Sequence, residues 1–173
     1  NDRPYFAYRH ASENELRVKL REPGGVYETQ TVFRSTRLGE MTSLVVDSKD
    51  RVHLIYENDS QDELRYGLKE NGEWNLTLVE QSIDTGVHPS LKLSKDELPH
   101  ATFWGLPSVK YARQTEDGEW LLDWVEVHDY GDWTGWYTSL TLDEDDIPHV
   151  SYYDWLEYDL KYATIKNNRW DTK

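Results

Sequence analysis

The chain is written as one unit repeated. The segment Thr42-Ser43-Leu44-Val45-Val46-Asp47 recurs as Pro89-Ser90-Leu91-Lys92-Leu93-Ser94 and again as Thr138-Ser139-Leu140-Thr141-Leu142-Asp143. Ten residues after each serine stands a histidine: His53, His100 and His149. Leu64-Arg65-Tyr66 then matches Val109-Lys110-Tyr111 and Leu160-Lys161-Tyr162, and a tryptophan follows each, Trp74, Trp120 and Trp170. Gly39, Gly86 and Gly135 each lie four residues ahead of a repeat's serine. A partial copy comes first, from Arg3-Pro4-Tyr5-Phe6-Ala7-Tyr8 through Leu16-Arg17-Val18 to Tyr27, which takes the tryptophan's place. A period of about 47 residues, Ser43 to Ser90, confines the chain to repeat architectures.

Each piece of a copy alternates apolar and polar with period two, as half-buried strands do. The pattern predicts strands A (43–47), B (52–57), C (63–68) and D (74–80) in the second copy, and their counterparts elsewhere. Between C and D stand Gly24-Gly25, Asn71-Gly72, Asp117-Gly118 and Asn167-Asn168. Such dipeptides accept positive φ at both central positions of a type I′ turn, so each C–D pair is expected to be a tight hairpin. Four antiparallel strands in a repeat of 40 to 50 residues make a propeller blade.

The expected fold is therefore all-β: a single β-propeller, or propeller segment, over 1–173. It would hold about four four-stranded antiparallel blades, at 1–38, 39–85, 86–134 and 135–173. The first blade lacks strand A, and the last stops three residues after Trp170. Three outcomes follow: a piece of a longer propeller, a ring completed by partner chains, or a four-bladed ring that closes imperfectly. Unpaired edge strands invite pairing with another chain, which tilts the expectation toward a homo-oligomer or a fragment.

Composition removes several function classes. The 33 acidic against 19 basic residues give a formal charge of −14, which repels phosphate backbones and argues against nucleic acid as a partner. There is no apolar run near 18 residues, so membrane insertion is not expected. Zero cysteines exclude disulfides and thiolate metal sites. No segment has the order of a secretory signal, and the chain opens on Asn1 rather than Met, which fits a processed or excised piece.

The three recurring histidines invite a zinc reading. Zinc, however, needs nitrogens within about 2.1 Å of one metal, and equivalent atoms in separate blades lie on the order of 10 Å or more apart. Packing and a local hydrogen bond explain the histidines better. The acidic stretch Asp143-Glu144-Asp145-Asp146 lacks the spacing and glycine of a calcium loop and reads as a solvated turn. No metal or cofactor is expected.

The wording of the last copy, from Ser139 through Pro148-His149-Val150-Ser151-Tyr152-Tyr153-Asp154 to Asp159-Leu160-Lys161-Tyr162-Ala163, resembles tandem β-propeller repeats. These occur in predicted secreted or surface proteins of bacteria and archaea and are distantly similar to sialidase (BNR) repeats. The resemblance implies an extracellular or cell-surface binding or scaffold role. The Asp-box of sialidase repeats, with Asp two residues ahead of Gly, is missing, since Asp117 and Gly118 are adjacent. No catalytic residue is carried over.

A repeat protein contains its own comparison. A residue type kept in every copy belongs to the blade, and one found in a single copy is free to serve a site. The A–B and C–D turns on one face are short and charged. The B–C and D–A links on the other face carry Trp104, Tyr130, Trp133, Trp136, Tyr153, Trp155 and Tyr158, with His88 and His128 nearby. The D–A link ahead of the last copy is three residues longer than its counterparts, through His128-Asp129-Tyr130-Gly131-Asp132-Trp133. Loops that deviate in this way carry function.

Aromatics beside carboxylates suit sugars, whose flat C–H faces stack on rings while hydroxyls meet polar groups. Arg9, Asp129, Asp132, Asp154 and Glu157 would be the polar complement. The expected binding site is Trp104, His128, Tyr130, Asp132, Trp133, Trp136, Tyr153, Asp154 and Trp155. The leading functional reading is a non-catalytic module that recognises a carbohydrate or a protein surface. A polysaccharide-active enzyme comes second, with Asp132 and Asp154 or Glu157 as hydrolytic pairs, or His128, Tyr153 and Arg9 in a lyase. A structural repeat completed by partner chains comes third.

Overall fold

The computed structural model describes residues 3–21, 24–38, 41–127 and 134–173. They form four antiparallel sheets in chain order. Sheet I has three strands, β1 (Tyr5–His10), β2 (Glu15–Arg21) and β3 (Tyr27–Arg34). Sheet II has β4 (Thr42–Val46), β5 (Val52–Asn58), β6 (Glu63–Glu70) and β7 (Glu73–Gln81). Sheet III has β8 (Thr85–Leu93), β9 (Pro99–Gly105), β10 (Ser108–Gln114) and β11 (Trp120–Trp124). Sheet IV has β12 (Thr134–Leu142), β13 (Pro148–Asp154), β14 (Asp159–Lys166) and the short β15 (Arg169–Thr172). Strands pair only with their chain neighbours, in the up-and-down order of a propeller blade. The one helical element among the described residues is a single 3₁₀ turn, Ala11–Glu13, linking β1 to β2.

Successive sheets pack face to face through apolar side chains that the alternation assigns to the two faces of each blade. Sheet II sends Ile55, Leu64 and Tyr66 forward against Leu91, Ala101 and Phe103 of sheet III. Its other face lays Leu54 and Tyr56 on Leu16, Val18 and Val32 of sheet I. Val109 and Tyr111 of sheet III meet Leu140, Val150 and Tyr152 of sheet IV. Leu54, Ile55, Leu64, Phe103 and Val109 have no accessible surface, and each such side chain contributes about 1.5–3 kcal/mol.

The recurring polar residues hold these junctions together. Ser43 Oγ accepts from the Leu91 N–H at 3.0 Å, and Ser90 Oγ accepts from the Leu140 N–H at 3.1 Å, so the serine of each copy ties its inner strand to the next. The Tyr66 hydroxyl donates to His53 Nδ1 at 2.6 Å. The same pair recurs as Tyr111–His100 and Tyr162–His149, at 2.5 Å in both. Asp47, an acceptor only, fixes the proton on His53 Nε2, 3.2 Å away. Burial lowers the His53 and His100 pKa values, so both are neutral packing elements. The tryptophans close the junctions: Trp120 meets Tyr66 edge-on at 5.3 Å, and Trp170 meets Tyr111 likewise.

Two C–D links are the expected two-residue type I′ hairpins, with positive φ at Asn71 and Gly72 and at Asn167 and Asn168, whereas Gly24 and Gly25, both also at positive φ, lie in a longer link between the paired Arg21 and Tyr27. The fourth differs. Between β10 and β11 only Gly118 has positive φ. The Thr115 N–H donates to Glu119 O, the Gly118 N–H to Thr115 O, and Thr115 Oγ1 accepts from the Glu119 N–H. This is a wider hairpin, a type I turn followed by a left-handed glycine. The threonine hydroxyl closes it, and that signal lies outside the dipeptide.

Candidate functional site

Two distortions of the repeat shape the loop face. The inner strands β8 and β12 each carry two register breaks against their neighbours. These fall between Thr85 and Val87 and between Val87 and Ser90 in one, and between Thr134 and Trp136 and between Trp136 and Ser139 in the other. A bulge bends a strand and re-aims its side chains. The first break rests on glycine. Gly135 has φ +107°, and a Cβ there would lie 2.7 Å from both the backbone N and the Cβ of Val109. The second break puts a non-glycine residue in the left-handed region, His88 at φ 51° and Tyr137 at φ 54°. Met41 occupies the same place in sheet II, and the three side chains line a common cavity near the axis.

A second set of variable residues stands one position past the aromatic of the B strands, half-buried Tyr8 and buried Tyr56, Phe103 and Tyr152. The strand registers make Arg9, Glu57, Trp104 and Tyr153 equivalents. Four copies thus place a cation, a carboxyl, an indole and a phenol at one position of the blade. Arg9 and Glu57, with Val87, His88, Trp136 and Tyr137, line a cavity of about 500 Å³ that opens on this face.

Aromatic rings run outward from that cavity. His88 lies 4.1 Å from Tyr137 and 5.1 Å from Trp136, ring centre to ring centre. Trp136 lies 6.0 Å from Trp155, which is 5.1 Å from Tyr153 and 6.4 Å from Tyr158. Most contacts are tilted or edge-on, so ring faces stay available. Trp155 is 42% exposed and Tyr158 74%. Of the residues expected from sequence, Trp136, Tyr153 and Trp155 come together in this run, and Trp104 lies beneath it, 5.8 Å from Trp136 and almost fully enclosed. His128, Tyr130, Asp132 and Trp133, with the whole 128–133 insertion, lie outside the described residues.

Asp154 is fully buried and has a structural task. Its Oδ1 accepts from Thr134 Oγ1 at 3.0 Å and from the N–H groups of Leu156 and Glu157 at 2.8 and 3.2 Å, and Oδ2 meets Lys161 Nζ at 2.7 Å. Burial pushes this carboxyl up, but the hydrogen bonds from Lys161, Glu157, Leu156 and Thr134 outweigh it and hold Asp154 at about 2. The carboxylate builds the 154–158 turn that displays Trp155 and Tyr158.

Sequence reasoning placed Arg9 and His88 near the site and missed Glu57, Tyr137 and Met41. The available signal was the alignment of copies at two positions: the residue after the core aromatic of strand B, and the residue two after the repeat's glycine. Glu57 is chemically distinctive. Burial, then the nearby carboxylates of Asp59 and Asp84, push it up to about 7 against the opposing pull of Arg37. Burial lowers the His88 pKa, and His88 Nδ1, enclosed at the cavity wall, has no hydrogen-bond partner among the described residues. Among those residues no group of three or more His, Asp or Glu is placed to hold a metal ion, and no helix is long and apolar enough to cross a membrane.

No protein-family model matches the chain, and no curated protein matches it. Solved structures do. A GH43 β-1,3-galactosidase superposes with a TM-score of 0.63 at 12% identity, over 99% of this chain and 42% of that one. The bifunctional GH43-CE protein of Bacteroides eggerthii superposes with a TM-score of 0.60 at 8% identity, over 100% of this chain and 26% of that one. The chain spans less than half the length of either. At such identities the likeness is one of fold, and it agrees with the sheets themselves: the chain is an all-β assembly of propeller blades.

Proposed function

We propose that the chain is a non-catalytic carbohydrate-recognition module that takes a sugar chain along the rings of Trp136, Trp155 and Tyr158, with its end at the cavity of Arg9, Glu57 and His88. The observation that carries this reading is the ring run itself. Aromatic side chains on one rim lead without a break from solvent to a polar-lined cavity of about 500 Å³. Aromatic faces stack on the C–H faces of pyranoses, and convergent polar groups set orientation. His88 Nδ1 is a buried polar atom that a hydroxyl can satisfy, and such atoms are rarely left unmet. The GH43 names of the two solved structures are in keeping with a carbohydrate ligand, although fold alone does not fix function.

The test is titration of the chain against a panel of soluble polysaccharides and oligosaccharides, followed by Trp136→Ala and Trp155→Ala. Binding that both substitutions weaken at least tenfold is expected. A panel with no binder, or binding indifferent to both, overturns the reading.

A second reading, a polysaccharide-active enzyme, has one observation in its favour: Glu57, held near pH 7, has the proton affinity a general acid needs. Asp154, a member of one of the two carboxylate pairs open to the sequence, is enclosed and ion-paired with Lys161, and so is no partner for it. Product release from any bound polysaccharide, abolished by Glu57→Gln, would favour this second reading over the first.

A further inference from the structure

Among the described residues, sheet I has no counterpart of one element that the other three sheets possess, and a cavity lies at its place. Sheets II, III and IV each begin with an inner strand, β4, β8 or β12, laddered to the second strand of the same sheet. The counterpart of that second strand in sheet I is β1, which among the described residues has a ladder partner on one side only, β2. Along its free side lies a cavity of about 730 Å³, lined by Ala7, Tyr8 and Arg9 from sheet I and by Thr42, Pro89 and Thr138 of the three inner strands.

The forward face of sheet IV is uncovered at the positions that an inner strand covers elsewhere. Gly86 rests on Leu64 and Gly135 on Val109, and both of those residues have no accessible surface; their counterpart Leu160 is 72% exposed. Ser43 and Ser90 each accept an N–H from the next inner strand, whereas the counterpart Ser139 is exposed. Tyr66 and Tyr111 are 4% and 5% exposed under a tryptophan of the following sheet, and Tyr162 is 37% exposed. Tyr27, which stands where those tryptophans do, is itself 45% exposed.

We propose that the free edge of β1 is a docking site for one extended peptide strand with the wording of the repeat's own inner strand, Gly-x-x-x-Ser-Leu-x-Leu. It would add to the sheet by main-chain hydrogen bonds. The strand pairs with β1 as β8 pairs with β9, and it fills the cavity beside Ala7 and Tyr8. Its glycine rests on Leu160, and its leucine N–H donates to Ser139. A second copy of these residues does not meet the need. Its inner strands are already laddered and covered by the preceding sheets, and its sheet I has no inner strand among the described residues. The occupant is an extended strand from outside these residues, and the three existing junctions specify its chemistry.

The experiment adds a synthetic peptide with the sequence of residues 86–94 to the intact chain and follows amide hydrogen exchange. Saturable slowing of exchange across Tyr5–His10 is expected, together with a rise in thermal midpoint that grows with peptide concentration. A peptide of the same composition in scrambled order should do neither. Leu160→Asp, at a position exposed enough to leave the fold intact, should weaken the peptide about tenfold, the loss of one buried apolar contact. Failure of the peptide to slow exchange in β1, equal action by the scrambled peptide, or unchanged affinity in Leu160→Asp would each overturn the proposal. Both results are read without any sugar present, so a failure of the sugar reading leaves them unchanged.

Discussion

The two ends of the blades obey different rules. At the end that carries the A–B turns, the second and fourth copies repeat one hydrogen-bond pattern, and the third, with Ser94 in place of the aspartate, keeps one of its bonds, from the Leu98 N–H. Asp47 Oδ1 accepts from the Lys49 and Arg51 N–H groups, and Asp143 Oδ1 accepts from the Asp145 and Ile147 N–H groups in the same pattern. The turns also link sideways: Glu97 Oε1 accepts from the Ser48 N–H and Asp146 Oδ1 from the Lys95 N–H. At the opposite end, equivalent positions hold Arg9, Glu57, Trp104 and Tyr153, or Met41, His88 and Tyr137. Packing and backbone satisfaction dictate the first end in every copy, whereas at the second only the framework glycine and serine recur. Variation between copies therefore marks where the blade has stopped imposing a residue.

The largest effect that could break this contrast is expected at a recurring residue of the variable end. Gly135→Ala places a Cβ 2.7 Å from Val109 in a backbone of φ +107°. Overpacking and a strained φ should together cost about 3–4 kcal/mol in denaturant unfolding. Gly86→Ala, whose nearest contact is 3.2 Å, should cost less. Equal and negligible losses at both would mean that the glycines are not framework.

At the regular end, Asp47→Ala should cost about 2–3 kcal/mol, because it leaves the buried His53 and two turn N–H groups without their acceptor and the half-buried Arg51 without its nearest one. Burial pushes the Asp47 carboxyl up, but hydrogen bonds from Arg51, His53 and Lys49 hold it down at about 2, below its ordinary 3.8. A depressed folded pKa means that the stabilisation is complete above about pH 4 and is lost as pH falls through 2. Acid unfolding should flatten in that window in the Asp47→Ala protein and less so in Asp143→Ala, whose carboxyl is also held low by the Ile147 and Asp145 N–H groups but is 38% exposed.

The same contrast explains what the sequence disclosed. Four blades, their strand order and two of the four expected type I′ turns were legible, because those features repeat and repetition makes Ser43, His53, Tyr66 and Trp74 readable as framework. The aromatic face was legible as a cluster, since Trp136, Tyr153 and Trp155 are variable and crowded. Asp154 was not: a carboxylate beside a tryptophan reads as a ligand contact until Thr134 and Lys161, distant in sequence, are seen closing on it. Glu57 was hidden for the opposite reason. It ends a regular strand, and only the charges of Asp59 and Asp84 in space give it an unusual proton affinity.

Glu57 supplies a prediction of intermediate size. Its folded pKa is raised, so between about pH 4.5 and 7 the folded state holds a proton that the unfolded state has released, and stability declines across that window. Glu57→Gln removes the cost. Allowing for screening of a partly exposed group, it should stabilise the chain by about 1–2 kcal/mol at pH 8 and by almost nothing at pH 4. The same gain at both pH values would show that the carboxyl is not titrating there.

The smallest effect on stability should come from the residue with the largest effect on recognition. Trp155 meets its neighbours edge-on and is 42% exposed, so Trp155→Ala removes little buried surface and should cost under about 1 kcal/mol. Trp104, with 2% of its surface accessible, is its control. Trp104→Ala should cost about 3–5 kcal/mol through the cavity it leaves, and should weaken a ligand only by loosening Trp136 above it. If the two tryptophans exchanged roles, with Trp155→Ala unfolding the chain and Trp104→Ala leaving it intact, the division between a framework beneath and a free surface above would fail at the place where it is drawn most sharply. If instead Trp155→Ala keeps its stability and loses polysaccharide binding, the variable end is a recognition surface in the strict sense: residues released from the fold and retained for a ligand.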